Sequence, residues 1–367
     1  MLEKGQISSF QMGIMMYSEV LGTAFLALPT ITAQFAKNDL WLTGVFASIA
    51  GVLSVFIAIK LHDLYPKMNF IQYSTLILGN FLGKTLGCIY FLYIVSISGI
   101  VTRLYAEFVT GNFLFKTPIL LVVGTMILLC AFAVRGGIEV LARCAIIFTP
   151  IFILPLFILL LLIPDLDVKN IFPVLSNGII PVLKGSSTPQ GWISEFFLIN
   201  FLLPSLVDLK KSMKWSMISL TAVSLSLIYV YLIILFLLGP DTGDKNYPIL
   251  VAFRYIRLGN LFENMEALLL AMWVVGNFVK ICIFFYVSVI SFAQVLNLSD
   301  YRPVIFPLGM LIIVLSFWDI PNFPSLANFI RYITPFHLTT AMLLIPLFLL
   351  LISIIRKRKK AGEGEAA

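Results

Sequence analysis

Long apolar stretches separated by short polar connections run along the whole of this 367-residue chain. The stretches are too continuous for the alternating or one-faced patterns of half-buried elements. Ten of them reach or approach the roughly 20 residues that cross a bilayer as a helix. They are Ser8–Phe35, Trp41–His62, Lys84–Phe108, Pro118–Val134, Arg143–Ile163, Gly191–Leu206, Ser212–Leu238, Met265–Leu296, Pro303–Phe317 and Phe336–Ile355. The sixth is short and carries Glu195, Asn200 and Pro204. The pattern predicts an all-α multi-pass membrane protein of ten transmembrane helices, one integral membrane domain over residues 1–367. Two connections have structure of their own. Asp165–Lys184 mixes apolar and polar residues with Pro and Gly, and Pro248–Leu258 has apolar residues near helical spacing with two arginines. The latter reads either as a short interfacial helix or as a surface loop.

Composition agrees with the pattern: 60% of residues are hydrophobic and 12% charged, with a mean hydropathy of +1.02. A soluble domain has about a quarter charged residues, so the solvent here is lipid. The apolar run from Ile7 to Phe35 is longer than the roughly 7–15 residues of a secretory signal core, which reads as a retained first helix. Lys and Arg concentrate in the connections that are cytoplasmic if the N-terminus is, ending with Arg356–Lys360 in a basic tail over 356–367. That asymmetry predicts both termini on the cytoplasmic side. The net charge of +7 is accounted for by orientation and anionic lipid, with no nucleic acid required. Cys88, Cys130, Cys144 and Cys282 lie in apolar runs without paired spacing, and His62 and His337 are isolated. No metal site, phosphate loop, cofactor motif or catalytic constellation is expected, and the sequence does not read as an enzyme.

The first stretch contains "SEVLGTAFLALPT", Ser18–Thr30. Gly22 weakens a helix and Pro29 removes a donor and crowds the carbonyl four residues back. The expectation is an unwound segment, whose half-helix ends and free carbonyls suit a zwitterion or a cation; a plain Pro kink is the alternative. The sixth stretch has the same devices in Gly191, Glu195 and Pro204. Two interrupted spans in corresponding positions point to a transporter-type binding site. Spans one and six of ten fit two inverted five-helix repeats, about 8–163 and 185–355, with broken helices 1 and 6.

Charges inside spans face a partner or a cavity. Glu19 precedes Gly22 by one turn, Glu195 lies in the sixth span, and Lys280 lies in the middle of the eighth. Lys280 reads either as a cavity residue in the place of a coupling sodium ion or as the partner of Glu19 or Glu266. Arg103 and Glu107 are spaced to pair on one face of span three, as a structural bridge or an outer gate. Tyr93, Ser96 and Ile97 share a face of that span and suit either a cavity wall or packing, as do Trp273 and Gly276 in the eighth.

The stretches Ile7–Pro29, "IFPVLSNGIIPVLKG" (Ile171–Gly185) followed by Glu195 and Pro204, and "TRLYAEF" (Thr102–Phe108) resemble the B subunit of spore-germination nutrient receptors. That family lies within the amino acid–polyamine–organocation permease superfamily. The resemblance covers essentially the whole chain and implies the five-plus-five permease fold. It further implies a germinant-sensing subunit in the spore inner membrane, beside a larger A-type subunit and a C-type lipoprotein. By position, Gly22, Thr23 and Ala24 match the unwound part of span one, and Trp192 and Glu195 that of span six. Tyr93 and Ile97 match the span-three wall, and Lys280 falls on span eight, where family members need not carry a charge. The implied ligand is a small amino acid bound between spans one, three, six and eight. An active amino acid permease is the alternative, since one fold serves both.

Overall fold

A computed structural model describes residues 2–256 and 265–365. Helix α1 (Ser9–Ala36) opens on a capping box: the Ser8 hydroxyl accepts the Gln11 amide, and the Gln11 side chain accepts the Ser8 amide. A 3-10 turn, Lys37–Asp39, leads into α2 (Leu40–Leu64). The short α3 (Phe70–Leu78) precedes α4 (Asn80–Asn112), α5 (Ile119–Arg135) and α6 (Ile138–Ile158). The second half consists of α7 (Ile179–Ser194), α8 (Ile199–Leu202), α9 (Ser212–Leu238), α10 (Pro248–Tyr255), α11 (Glu266–Val295) and α12 (Ile305–Trp318). The chain ends with α13 (Phe323–Asn328), α14 (Thr334–Thr339) and α15 (Ile345–Glu365), separated by π-helical turns at Phe329–Ile333 and Thr340–Leu344.

By length and composition, six helical stretches of the described residues suffice to cross a membrane. The difference from ten predicted spans has identifiable causes. The first of the six, Ser9–Leu64, contains both α1 and α2; Ile119–Arg135 and Arg302–Trp318 are apolar but shorter; and the sixth predicted span is divided among α7, α8 and the turns between them. Exposed apolar side chains form stripes that suit lipid rather than water, as with Val45, Ile49, Val52 and Phe56 along α2. The connection over Asp165–Lys184 is shorter than predicted. Gly178, at φ +76°, a backbone conformation open to glycine, sets the start of α7 at Ile179. The Pro248–Leu258 stretch is helical through Tyr255, with Ile249, Leu250 and Phe253 buried; Arg257 and Leu258 lie outside the described residues.

The packing pairs are exchanged when the first five segments are swapped with the second five. Helix α1 packs on α6 as α7 packs on α14, α1 on α9 as α7 on α2, and α4 on α12 as α11 on α5. Helices α1 and α11 also pack on each other, with α7 against α1 and α4 against α11.

One expectation is corrected. The break between Gly22 and Pro29 does not occur: α1 is helical without interruption from Ser9 to Ala36, with Pro29 inside it. A Cβ on Gly22 would lie 3.0 Å from the Gly276 carbonyl oxygen and 3.3 Å from Lys280 Cβ. Gly22 thus permits α1 to press against α11, and its freedom is not used to unwind. Pro29 removes a single donor, a loss that membrane helices tolerate where neighbours cover the backbone. The sixth segment does change character. It tightens to a 3-10 turn at Glu195–Leu198, regains α geometry over α8, and tightens again at Leu203–Ser205.

Candidate functional site

Three buried charges meet where α1, α11 and the α7–α8 junction converge. Lys280 Nζ donates to Glu195 Oε2 at 2.5 Å, to Glu19 Oε1 at 3.2 Å and to the Glu19 carbonyl oxygen at 3.0 Å. The side chains of Glu19 and Lys280 are wholly buried, and that of Glu195 is 2% exposed. Burying charge is tolerable only with partners. Here one ammonium serves two carboxylates, and the second Glu19 oxygen, Oε2, is buried with no hydrogen-bond partner. Of the partners expected for Lys280, Glu19 is present and Glu266 is not; Glu266 pairs instead with Arg254.

Local structure explains the convergence. Lys280 and Asn277 are one turn apart on α11, and Glu19 and Gly22 are one turn apart on α1. Asn277 Nδ2 donates to the Gly22 carbonyl oxygen at 2.9 Å, as Lys280 does to that of Glu19. Two side chains of α11 thus bind two successive turns of α1 through its main chain, across the close approach that Gly22 allows. One residue on, Trp192 Nε1–H donates to Thr23 Oγ1 at 2.8 Å, tying α7 to α1. A turn below Gly22, the hydroxyls of Ser18 and Thr149 lie 2.6 Å apart and join α1 to α6.

Of the residues singled out in the sequence, Gly22, Thr23, Trp192, Glu195 and Lys280 are joined into one buried cluster by these contacts. Ala24 is buried beside them in α1, and Ile97 is buried on α4. Tyr93 lies within electrostatic reach of Glu195 but makes none of these hydrogen bonds. Its ring packs on Tyr90 and, at 4.6 Å, on His337, its hydroxyl is buried without a hydrogen-bond partner, and it lines an apolar groove between α4 and the α14 region. Ser96 donates to Asp319 at 2.6 Å. Arg103 pairs with Glu107 at 2.7 Å, donates to the Pro321 carbonyl and lies over Phe317, so the pair fastens α4 to the end of α12. Trp273 and Gly276 are core residues: Trp273 stands 5.2 Å from Phe108, and a Cβ on Gly276 would strike Phe152. Asn277 is the participant the sequence reading overlooked. Its signal was an amide one turn before a mid-span lysine in "GNFVK", and inside a span such a residue seeks a partner on another helix. Among the described residues no group of His, Cys, Asp and Glu has metal-ligand geometry.

The arrangement resembles known membrane transporters in backbone and one protein family in sequence. The nucleobase-cation-symport-1 transporter Mhp1, solved in a closed conformation with bromovinylhydantoin, aligns over 95% of this chain and 78% of its own at a TM-score of 0.68 and 12% identity. MhsT, solved with L-phenylalanine, aligns over 96% of this chain and 99% of its own at 0.64 and 12%. Similarity at this level establishes the fold. In sequence, Spore germination protein KB of Bacillus subtilis (strain 168) is 27% identical over the full length of both chains. Spore germination protein YndE of the same organism is 27% identical over 96% of this chain and 98% of its own. The family described as spore germination protein matches residues 6–324. The chain is therefore a multi-span membrane protein that belongs to the spore germination protein family, built on a transporter fold.

Proposed function

We propose that this chain is the germinant-sensing subunit of a spore germination receptor, binding a small amino acid between α1, α4, α11 and the α7–α8 junction. The observation that carries this reading is the buried cluster of Lys280, Glu19 and Glu195. An amino acid matches it charge for charge: its carboxylate replaces a glutamate on Lys280, and its ammonium replaces Lys280 on the freed carboxylate. Such an exchange keeps every buried charge paired, while it releases the lysine from the Glu19 main chain and so loosens α1 from α11. Gly22, Thr23 and Ala24 on α1, Trp192 on α7, and Tyr93 and Ile97 on α4 form the proposed surroundings of the ligand. Lys280 then occupies the place of a coupling cation.

Signalling follows from differential affinity. A ligand that binds the loosened state better shifts the population toward it, and equal affinity for both states shifts nothing. Coupling of about 1–3 kcal/mol passes the change to partners, in this proposal an A-type subunit and a C-type lipoprotein in the spore inner membrane, with both termini cytoplasmic. The exchanged packing pairs support two five-helix repeats, about 8–163 and 185–355, that move against each other. The transporter fold of the neighbours favours a second reading, an active amino acid permease.

The test is germination of spores carrying Glu195→Gln or Lys280→Met, with protein levels measured alongside. Altered nutrient dose–response at normal Glu195→Gln levels is expected, and unchanged curves for every nutrient would remove the cluster from the site. Uptake of labelled amino acid by vesicles containing this protein alone would favour the permease.

A further inference from the structure

A cavity of about 150 Å³ opens between the C-terminal end of α1, α4, the start of α10 and α13. A cavity of this size holds one benzene-sized molecule. Its walls are unlike those of the central cluster. Arg331 lines it with no carboxylate within ion-pair distance among the described residues, and its Nε–H is buried without an acceptor. The guanidinium is held in place instead by the rings of Phe35 and Tyr332, at 5.4 and 5.2 Å. Tyr247 lines the same cavity, and its buried hydroxyl likewise has no hydrogen-bond partner. Leu104 and Phe323 supply apolar wall. The α1 wall is fixed, since the Thr30 hydroxyl donates to the Lys245 carbonyl at 2.7 Å and Gln34 Nε2 to that of Gly243 at 2.9 Å.

Two buried donors without acceptors, one of them cationic, beside an apolar wall describe a site whose missing part is an anion with a hydrocarbon body. A buried donor left unmade costs about 1–3 kcal/mol, so a ligand that satisfies both gains specificity from them. Guanidinium favours carboxylate through its planar fork, and a single cation in this volume suits one negative charge. We propose that this cavity binds the carboxylate of a small monocarboxylic acid with a short apolar side chain, Arg331 holding the carboxylate and Tyr247 donating the second hydrogen bond. The site is distinct from the central cluster and does not depend on the function proposed for it.

Equilibrium dialysis of radiolabelled isovalerate against the full-length protein in nanodiscs tests the proposal, with isovaleramide and L-leucine as competitors. Isovalerate is expected to bind, isovaleramide to compete poorly because it lacks the charge, and Arg331→Gln to weaken binding at least tenfold. Tyr247→Phe is expected to weaken it several-fold and decides the matter if Arg331→Gln does not fold. Competition by L-leucine identifies the acid as an amino acid; its failure leaves a simple carboxylic acid as the ligand. Absence of isovalerate binding, equal binding of the amide, or affinity unchanged in a folded Arg331 or Tyr247 variant would overturn the assignment. The readout is binding at Arg331 rather than germination through Glu195, so either proposal fails without the other.

Discussion

A glycine, a proline and a buried glutamate occur in both α1, as Glu19, Gly22 and Pro29, and the sixth segment, as Gly191, Glu195 and Pro204, yet the two backbones differ. Helix α1 stays helical past Gly22 and Pro29. The sixth segment tightens at Glu195, recovers for one turn, and tightens again at Pro204. The difference lies in what each glycine meets. Around Gly22 the neighbour is the backbone of α11, and the carbonyls of Glu19 and Gly22 take extra donors from Lys280 and Asn277. Those bonds brace the helix from outside. Gly191 faces Leu338 and the Thr334 carbonyl, both at 3.3 Å, next to a π-helical turn that is itself irregular. Glycine and proline in a membrane helix therefore report a special backbone requirement without saying which one: close approach in the first case, a change of helical pitch in the second.

The largest expected effect comes from the cluster that spans both regions. Lys280→Met leaves two buried carboxylates facing each other, and removing one partner of a buried pair costs about 3–5 kcal/mol. Thermal unfolding in detergent should show this loss. The triple variant Glu19→Gln/Lys280→Met/Glu195→Gln should recover most of it, because no unpaired charge remains. If the triple variant is no more stable than Lys280→Met, the three groups do not act as one unit.

A smaller effect separates the two glycines. Gly22→Ala places a methyl group 3.0 Å from a carbonyl oxygen in fixed backbone, and overpacking of this kind costs about 1–3 kcal/mol. Gly191→Ala meets its nearest neighbours at 3.3 Å, one of them the side chain of Leu338. The roughly 0.5–1 kcal/mol that alanine gains over glycine in a helix offsets the crowding there. Melting temperatures of the two variants should therefore differ, with Gly22→Ala lower. Equal losses would mean that α1 is not held by its approach to α11.

The family and the membrane class were legible because they rest on long patterns, the apolar runs and the stretch Ile171–Gly185, and not on any one contact. The participants in the cluster were legible for a similar reason. Glu19, Glu195 and Lys280 are charges in apolar runs, and such charges must find each other or a cavity. Their pairing was not legible, since Glu19 and Glu266 were equal candidates until helix order in space separated them. The continuity of α1 was hidden as well. Local propensity at Gly22 and Pro29 favours a break, and contacts from distant parts of the chain, α11 and α7 among them, hold the helix together. Tyr93 shows the same limit: its helical face was evident from spacing, but the partner it turns to, His337, lies in the last part of the chain.

The smallest effect bears most directly on how the two regions communicate. Trp192 Nε1–H and Thr23 Oγ1 link α7 to α1 one turn before the sixth segment changes pitch. Both atoms are buried, so the bond has no water to compete with it. Trp192→Phe removes the donor and keeps an aromatic ring; Thr23→Val removes the acceptor and keeps the branched shape. Each single change leaves one buried polar atom unpaired, whereas the double variant leaves none. A double-mutant cycle on unfolding free energy should thus give a coupling of about 0.5–1.5 kcal/mol, the ordinary net worth of such a bond. If the cycle closes at zero, Trp192 holds α1 by packing alone. A change of pitch at Glu195 then reaches the first helix through Lys280 rather than through the Trp192–Thr23 hydrogen bond.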